Sequence, residues 1–297
     1  MLTALTIGFI GGGVMGEAMV KGLLAKGLVS AADVIVSDVR SDRIQEMVER
    51  YSIIGVADNT RVAQAADVLV LAIKPQVVGR VLSELRGCVK PTALVLSIAA
   101  GVTIRTIANG LAHAAIVRAM PNTPAQIGQG ITVWTPTPQV SPAQLAQTEA
   151  ILGAFGEHVQ VDEESYLDMA TALSGTGPAY VFLFMEALID AGVHMGFSRH
   201  VAEKLVIQTM RGSVEFASQS ALHPAPLRNQ VTSPGGTSAE AIYHLEKGGL
   251  RTVISRAVWA AYQRSVALGG GAPPEARLGG RSPDGDQFAA NNNVSGK

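Results

Sequence analysis

Three consecutive glycines near the start of the chain have the spacing of a nucleotide-binding turn. They follow an apolar run and, together with Gly16, complete the pattern Gly-x-Gly-x-x-Gly ahead of an amphipathic segment. Such a turn needs glycine because the backbone must bend tightly, approach a pyrophosphate and let strand and helix pack closely. The motif predicts a dinucleotide site whose phosphates face a helix N-terminus. Its predicted contact residues are Ile10, Gly11, Gly12, Gly13, Val14 and Met15.

The end of the second predicted strand carries side chains that could select the coenzyme. Asp38 lies about 20 residues after Gly16, where an acidic residue usually binds the adenine ribose hydroxyls, which favours NADH. Arg40 and Arg43 could instead hold a 2'-phosphate, with a hydrogen bond from Ser37, which favours NADPH. A solvated helix face is an equally good interpretation of both arginines. The choice between NADPH and NADH therefore stays open.

Two further segments, 72–75 and 99–101, lie at the carboxyl ends of predicted strands, at the edge that forms the ligand crevice, and a third segment, 118–124, follows them in the chain. Short side chains in the first two would leave room for the ribose and the nicotinamide, although Lys74 could instead be a surface charge. In the third, 118–124, two prolines fix a loop in which Asn122 and Thr123 offer an amide and a hydroxyl. A ligand contact and a purely structural loop are equally good interpretations there. The candidate cofactor residues in these segments are Ala72, Ile73, Lys74, Pro75, Ala99, Ala100, Gly101 and Asn122.

A polar loop in the second half of the chain has the composition of an anion site. Residues 233–238 are Ser-Pro-Gly-Gly-Thr-Ser and precede a predicted helix, so amide N–H groups and hydroxyls are exposed at a helix start. A carboxylate would fit such a site. The alternative is a plain turn in which Ser238 caps the helix.

Short apolar runs rich in Val, Ile and Leu alternate with amphipathic segments through the first half of the chain. This alternation is typical of a parallel sheet whose strands are buried on both faces and joined by helices. The predicted strands are Leu5 to Ile10, Val34 to Ser37, Val68 to Ile73, Ala93 to Ile98, Ala115 to Ala119, Ile131 to Trp134 and residues 157–161. A helix with a serine cap and a first-turn proline is predicted from Ser141-Pro142, ending within 153–156.

From Glu163 onward long helical patterns replace the alternation, with turn signals at 175–178, 196–198 and 233–236. We predict an α/β fold: an N-terminal Rossmann-type doubly wound parallel sheet over 1–162 and an all-helical C-terminal dimerisation domain over 163–269. Residues 270–297 have no apolar period and predict a disordered tail.

The stretch Tyr180 to Val193 is apolar all round except at Glu186 and Asp190, which predicts burial of the whole helix. A partner subunit in a homodimer would supply that burial. A central core helix within one chain is the alternative.

The composition excludes several classes of function. The 297 residues carry a formal net charge of −1 with the signs interspersed, so we expect neither nucleic acid nor an anionic membrane as a partner. No apolar stretch reaches the roughly 18 to 20 residues of a bilayer span. Cys88 is the only cysteine, which excludes an internal disulfide, and the six histidines show no metal-ligand spacing. A soluble, cytoplasmic protein without a metal is expected.

The order of these motifs and the residues within them resemble pyrroline-5-carboxylate reductase over roughly residues 5–269. The segments that carry the resemblance are IGFIGGGVMG at 7–16, AIKP at 72–75, RAMPNTP at 118–124, LSGTGPAY at 173–180 and VTSPGGTS at 231–238. The first segment is shared with many dehydrogenases, whereas the last two belong to the second domain and are far more diagnostic.

The resemblance implies hydride transfer from NADPH or NADH to L-1-pyrroline-5-carboxylate, giving L-proline in the last step of proline biosynthesis. It implies a homodimer, often assembled further, whose active site combines the cofactor crevice with the loop of the helical domain. It also implies that Asn59 meets the adenosine part of the cofactor and that Ser238 hydrogen-bonds the substrate ring nitrogen, with Thr237 as second candidate. The substrate carboxylate would be held by the backbone amides of Gly235, Gly236, Thr237 and Ser238.

One position departs from the family pattern. Glu240 follows the loop where the family usually has small residues, and its charge would weaken carboxylate binding unless it points to solvent or to a basic partner.

Two rival interpretations predict different chemistry. A 3-hydroxyacid dehydrogenase of the same architecture would place a lysine on the long helix of the second domain, and the stretch Ser174 to Val193 has none. A redox sensor that binds the cofactor without turnover would not need the two second-domain segments. Imine reduction itself requires mainly orientation and exclusion of water, because the iminium carbon is already electrophilic.

Overall fold

Strands and helices alternate through the first half of the chain, and helices alone follow. The structure is a computed structural model that describes residue 2 and residues 5–272. The strands are β1 Ile7–Ile10, β2 Val34–Ser37, β3 Ile54–Val56, β4 Val68–Leu71, β5 Leu94–Ser97, β6 Ile116–Met120, β7 Gly130–Pro136 and β8 Gly156–Gln160. The helices are α1 Val14–Ala25, α2 Ser41–Tyr51, α3 Asn59–Ala65, α4 Pro75–Leu85, α5 Ile104–Leu111, α6 Pro142–Gly153, α7 Tyr166–Ala170, α8 Gly177–His194, α9 Arg199–Ser218, α10 Pro224–Gln230, α11 Thr237–Lys247 and α12 Leu250–Leu268. Two short 3-10 helices span Ala31–Asp33 and Thr123–Ile127, and a π-helical segment spans Thr171–Gly175.

The strands form one sheet in the order β3-β2-β1-β4-β5-β6-β7-β8. Strands β1 to β6 are parallel, and β7 and β8 run the opposite way as a parallel pair. The strand order reverses between β1 and β4, where Ile10 pairs with Leu71. In an open parallel sheet this switch point forms the ligand crevice at the carboxyl ends of the strands.

Both faces of the sheet are covered, as its continuous apolar strands require. Every residue of β1, β2, β4 and β5 is buried. On one face Phe9 belongs to a core cluster with Met19 and Trp134, and on the other face Ile10 belongs to a cluster with Leu69. Alternate residues of β1 thus point into separate cores, which confirms the predicted doubly wound parallel sheet.

The seven strands predicted from the sequence are all present, with ends that agree within two residues. The start of α6 is confirmed as well, since the Ser141 hydroxyl accepts the Gln144 N–H and the Gln144 side chain accepts the Ser141 N–H. Strand β3 was not predicted. It is only three residues long, and its first residue, Ile54, is exposed at the edge of the sheet, so it lacks the apolar run of the other strands.

The turn predicted at 175–178 is wrong, because the chain stays helical from Tyr166 to His194. The Thr176 N–H donates to the Thr171 carbonyl at 2.8 Å, the i to i+5 bond of a π-turn, and α8 starts directly afterwards. Pro178 is tolerated because it lies in the first turn of α8, where the missing N–H has no intrahelical partner. The turns predicted at 196–198 and 233–236 separate α8 from α9 and α10 from α11, and both are confirmed.

The apolar helices of the second half are exposed in the single chain. In α8 only Gly192 is buried, and Phe182 and Leu183 are 60% and 67% exposed. The alternative of a central core helix is therefore wrong. The segment Tyr166–His194 is also long and apolar enough to cross a membrane by length and composition alone. The expectation that no segment reaches that length is corrected, since Glu186 and Asp190 interrupt the apolar run without lowering its mean hydropathy enough.

Residue 162 lies between β8 and α7, in a connection without strand or helix. The division into domains 1–162 and 163–269 remains our proposal. The predicted tail lies outside the described residues from residue 273 onward.

Candidate active site

The glycine turn lies at the switch point, where β1 passes into α1. Gly11 has φ +101°, its N–H donates to the Ser37 carbonyl at 2.8 Å, and a Cβ there would lie 2.5 Å from the Ala72 carbonyl oxygen. A Cβ on Gly16 would likewise lie 2.5 Å from the Gly11 oxygen, so α1 packs directly on the turn. Gly13 is the exposed N-cap of α1, and a Cβ there would meet no atom within 4 Å. The cradle therefore has the tight turn, the close packing and the open helix start that a pyrophosphate requires.

Asp38 and Arg43 form hydrogen bonds with the backbone of this turn. The Gly12 N–H donates to Asp38 Oδ2 at 2.9 Å, and Arg43 Nε donates to the Gly12 carbonyl at 2.6 Å. Asp38 Oδ1 also accepts the Arg40 N–H at 3.0 Å. Arg43 is buried with 8% exposure, so a solvated helix face is the wrong interpretation for this arginine. The Arg40 side chain, in contrast, is 62% exposed, and among the described residues it forms a single ion pair, at 3.9 Å to Asp42.

A cluster of charged groups surrounds the Arg43 guanidinium. Its terminal nitrogens donate to Glu17 on α1 and to Glu46 on α2, and Glu17 also accepts hydrogen bonds from Arg50 and Tyr51. Burial opposes ionisation of Glu17, but the hydrogen bonds from Arg43 and Tyr51 outweigh it and lower the pKa of Glu17 below its usual value. The cluster thus fixes α2 against the start of α1.

Ser37 and Asn59 form a pair beside the turn. Ser37 is fully buried, and its hydroxyl donates to Asn59 Oδ1 at 2.7 Å. Asn59 begins α3, is half-buried, and its amide donates to Glu84 at 3.2 Å. The buried serine hydroxyl thus orients Asn59 and does not face solvent itself.

The strand-end segments lie along the same edge of the sheet. The Ala72 N–H donates to the Ile10 carbonyl at 2.9 Å, which places residues 72–75 beside the glycine turn, with Lys74 exposed as the N-cap of α4. After β5, Ala99 is buried and Ala100 is half-buried. Gly101 has φ +71°, and a Cβ there would lie 2.9 Å from the Leu268 Cβ. Gly101 is therefore required where the end of α12 meets the sheet.

The two segments RAMPNTP and LSGTGPAY meet above β6. The Asn122 amide donates to the Ser174 carbonyl at 3.2 Å and its Oδ1 accepts the Ile131 N–H at 3.0 Å. A Cβ on Gly175 would lie 2.7 Å from the Met120 Cε. The side chain of Asn122 thus joins the sheet to the π-helical segment, and π-turns of this kind frequently occur at functional sites.

Arg118 joins the sheet to the helical half, and sequence reasoning assigned it no such role. Its guanidinium, 3% exposed, contacts Glu164 at 2.8 Å and Asp168 at 3.3 Å. Asp168 also accepts the Ser265 hydroxyl at 2.8 Å, and Glu164 accepts the Ile104 N–H at 2.7 Å. The available signal was a charge inside an apolar strand, because a buried arginine must find anionic partners.

The polar loop forms a tight turn before α11. The Gly236 N–H donates to the Ser233 carbonyl at 3.0 Å around Gly235, whose φ is +70°, as in a type II turn with Pro234 at its second position. Gly236 is the N-cap and α11 begins at Thr237, so the alternative in which Ser238 caps the helix is wrong.

In the described part of the chain, the N–H groups and hydroxyls of Thr237 and Ser238 donate to no protein acceptor. The Glu240 carboxylate turns toward His244 at 3.3 Å, and its side chain is 75% exposed. Helix α11 packs on α12, and hydrogen bonds of residues 233–238 to the glycine turn do not occur among the described residues. The start of α11 and the glycine turn are thus separate features of one chain.

An open parallel sheet with a glycine turn at its switch point, followed by a helical domain, defines the class of nicotinamide-dinucleotide oxidoreductases with a separate helical domain. Comparison with known proteins agrees with this class. The family profile described as pyrroline-5-carboxylate reductase dimerisation matches residues 164–268, and the profile described as NADP oxidoreductase coenzyme F420-dependent matches residues 6–123.

Named relatives identify the family. The chain is 43% identical to the pyrroline-5-carboxylate reductase of Synechocystis over 90% of this chain and 99% of that protein, and 38% identical to that of Escherichia coli over 88% and 97%. The structure of the Plasmodium falciparum pyrroline carboxylate reductase with NADP bound is similar with a TM-score of 0.83 and 32% identity, over 90% and 98% of the two chains. The chain belongs to the pyrroline-5-carboxylate reductase family. The resemblance seen in the sequence motifs is thereby confirmed.

Proposed function

We propose that this chain reduces L-1-pyrroline-5-carboxylate to L-proline with a hydride from NADPH or NADH. The observation that carries the proposal is the open start of α11, where two N–H groups and two hydroxyls have no acceptor among the described residues, in a chain that also has a glycine turn at the switch point of the sheet. The family relatives support the choice of substrate, since they are named for it.

The start of α11 would bind the substrate. In our proposal the backbone amides from Gly235 to Ser238 hold the carboxylate, and the Ser238 hydroxyl hydrogen-bonds the ring nitrogen, with Thr237 as the second candidate. The turn between Ser233 and Gly236 orients these donors before the substrate arrives, so binding requires little reorganisation. Glu240 does not oppose the carboxylate strongly, because its side chain turns to His244.

The sheet edge would bind the cofactor, which supplies the hydride when bound. The glycine turn from Ile10 to Met15 would hold the pyrophosphate, and Asn59, oriented by Ser37, would meet the adenosine part. Asp38 would bind the adenine ribose hydroxyls of NADH with its remaining lone pairs, and Arg40 is the exposed cation for the 2'-phosphate of NADPH. Residues 72–75, 99–101 and Asn122 would line the nicotinamide end and exclude water.

A second copy of the chain would complete the enzyme. We propose a homodimer, because the helical half exposes the apolar residues of α8 and carries the dimerisation profile over 164–268. In our proposal the active site then combines the cofactor crevice with the loop of the helical domain, as the family resemblance implies. A cytoplasmic location accords with the single cysteine, Cys88.

The activity test uses the wild type and Ser238→Ala with pyrroline-5-carboxylate, following the absorbance of NADPH and NADH in parallel. We expect turnover in the wild type and a loss of about 10- to 100-fold in kcat/KM in the variant, the cost of one hydrogen bond to a charged group. Ser83→Ala, an exposed serine on α4, is the matched control and should match the wild type. Absence of turnover with either coenzyme would reject the function, and wild-type kinetics in Ser238→Ala would reject the role of Ser238.

Sedimentation equilibrium tests the homodimer. We expect the wild type to have at least twice the mass of one chain and Leu183→Glu to shift toward the monomer, because a charge would be buried in the apolar interface. Val159→Glu makes the same change at an exposed valine on β8 and should leave the mass unchanged. A monomeric wild type would contradict the proposal.

A further inference from the structure

We infer that Arg43 is a positioning residue for the pyrophosphate of either coenzyme: together with Asp38 it fixes the Gly12 peptide groups so that the Gly13 N–H faces the phosphates. This inference rests on the proposed dinucleotide binding. It replaces the alternatives from the sequence, in which Arg43 holds a 2'-phosphate or lies on a solvated face.

The first step follows from the planar peptide bond. In a trans peptide the carbonyl of one residue and the N–H of the next point in opposite directions. Arg43 Nε binds the Gly12 carbonyl at 2.6 Å, so the Gly13 N–H points away from the guanidinium. Gly13 is exposed, and a Cβ built on it would meet no atom within 4 Å. The orientation of one carbonyl therefore presents one phosphate donor.

The second step concerns the freedom of the turn. Three successive glycines have a wide choice of backbone angles, and ordering them on binding would cost affinity. Here the Gly11 N–H is held by the Ser37 carbonyl, and both polar backbone groups of Gly12 are held by Asp38 and Arg43. The turn is thus ordered before a ligand arrives, which removes that cost.

The third step concerns the rigidity of Arg43 itself. Its side chain is buried, and its two terminal nitrogens donate to Glu17 and Glu46, leaving Nε for the Gly12 carbonyl. Three directed donors in one plane are a property of the guanidinium that a lysine ammonium does not reproduce. Because Glu17 lies on α1, the same arginine also fixes the helix whose N-terminus faces the phosphates.

Calorimetric titration with two cofactor fragments tests the inference. ADP contains the pyrophosphate, and adenosine 2'-monophosphate contains the 2'-phosphate without it. We expect Arg43→Lys to weaken ADP binding by about 10-fold or more and to leave adenosine 2'-monophosphate unchanged. Arg40→Ala is the matched control and should show the opposite pattern. It should weaken the binding of adenosine 2'-monophosphate and leave the affinity for ADP unchanged. Glu17→Gln, which keeps the shape of the side chain, should weaken the binding of ADP alone, and by less than Arg43→Lys does.

Unchanged ADP binding in Arg43→Lys would overturn the inference, and so would a selective loss of adenosine 2'-monophosphate. An equal loss of both fragments in Arg43→Lys and in Glu17→Gln would also overturn it, because the cluster would then only maintain the fold. Failure of the proposed function has a different signature, in which the wild type binds neither fragment.

Discussion

Arg118→Met is expected to lower the free energy of unfolding by about 3–5 kcal/mol, the cost of breaking a buried ion pair from one side. The guanidinium is almost fully buried and is shared between Asp168 on α7 and Glu164, which lies just before that helix. Methionine would replace the arginine stem but leave both carboxylates without the guanidinium. Urea unfolding of the wild type and the variant measures the difference.

Three further variants separate the charge from the packing at Arg118. Arg118→Lys keeps the charge but cannot contact both carboxylates. Its free energy of unfolding should therefore lie between those of the wild type and Arg118→Met. Glu164→Gln and Asp168→Asn should each cost less than Arg118→Met, because the other carboxylate still pairs with the arginine. A loss below about 1 kcal/mol in Arg118→Met would mean that the pair contributes no more than an exposed one.

Gly11→Ala is expected to abolish tight coenzyme binding, with Kd for NADPH and NADH raised about 100-fold or more. The new Cβ would approach the Ala72 carbonyl oxygen to 2.5 Å, and the φ of +101° is unfavourable for alanine. The strain of about 1–3 kcal/mol for such a backbone adds to the displacement of Ala72, and both act at the cradle. Quenching of intrinsic fluorescence on titration with each coenzyme measures the Kd.

Gly27→Ala is the matched control for this prediction. Gly27 also has a positive φ, +61°, but a Cβ there would meet nothing within 4 Å. It should cost stability of about 1 kcal/mol and leave coenzyme affinity unchanged. Wild-type affinity in Gly11→Ala would contradict the close approach of β1 and β4 at the switch point.

The sheet could be predicted from the sequence because its strands are buried on both faces and therefore form uninterrupted apolar runs. The glycine turn could be predicted because the local backbone geometry requires glycine at Gly11 and Gly16. The edge strand β3 could not, since an exposed three-residue strand lacks that run.

The roles of the charged residues depend on contacts between distant parts of the chain. Arg43 meets Gly12 and Glu17, and Arg118 meets Glu164 and Asp168, all far away in sequence. The local sequence shows that each arginine is charged, but it does not identify the residues that the arginine contacts. The π-turn before α8 was missed for a related reason, since glycine and proline signal a turn whether or not a neighbouring segment stabilises a helix there.

The exposed apolar face of α8 has a thermodynamic consequence. In the proposed homodimer a second copy would bind only the folded helical half, so mass action would stabilise that half as the protein concentration rises. The sheet has two cores of its own and would gain little from association. In the proposed homodimer the stability of the helical half would therefore depend on the abundance of this protein, and the stability of the sheet would depend on it far less.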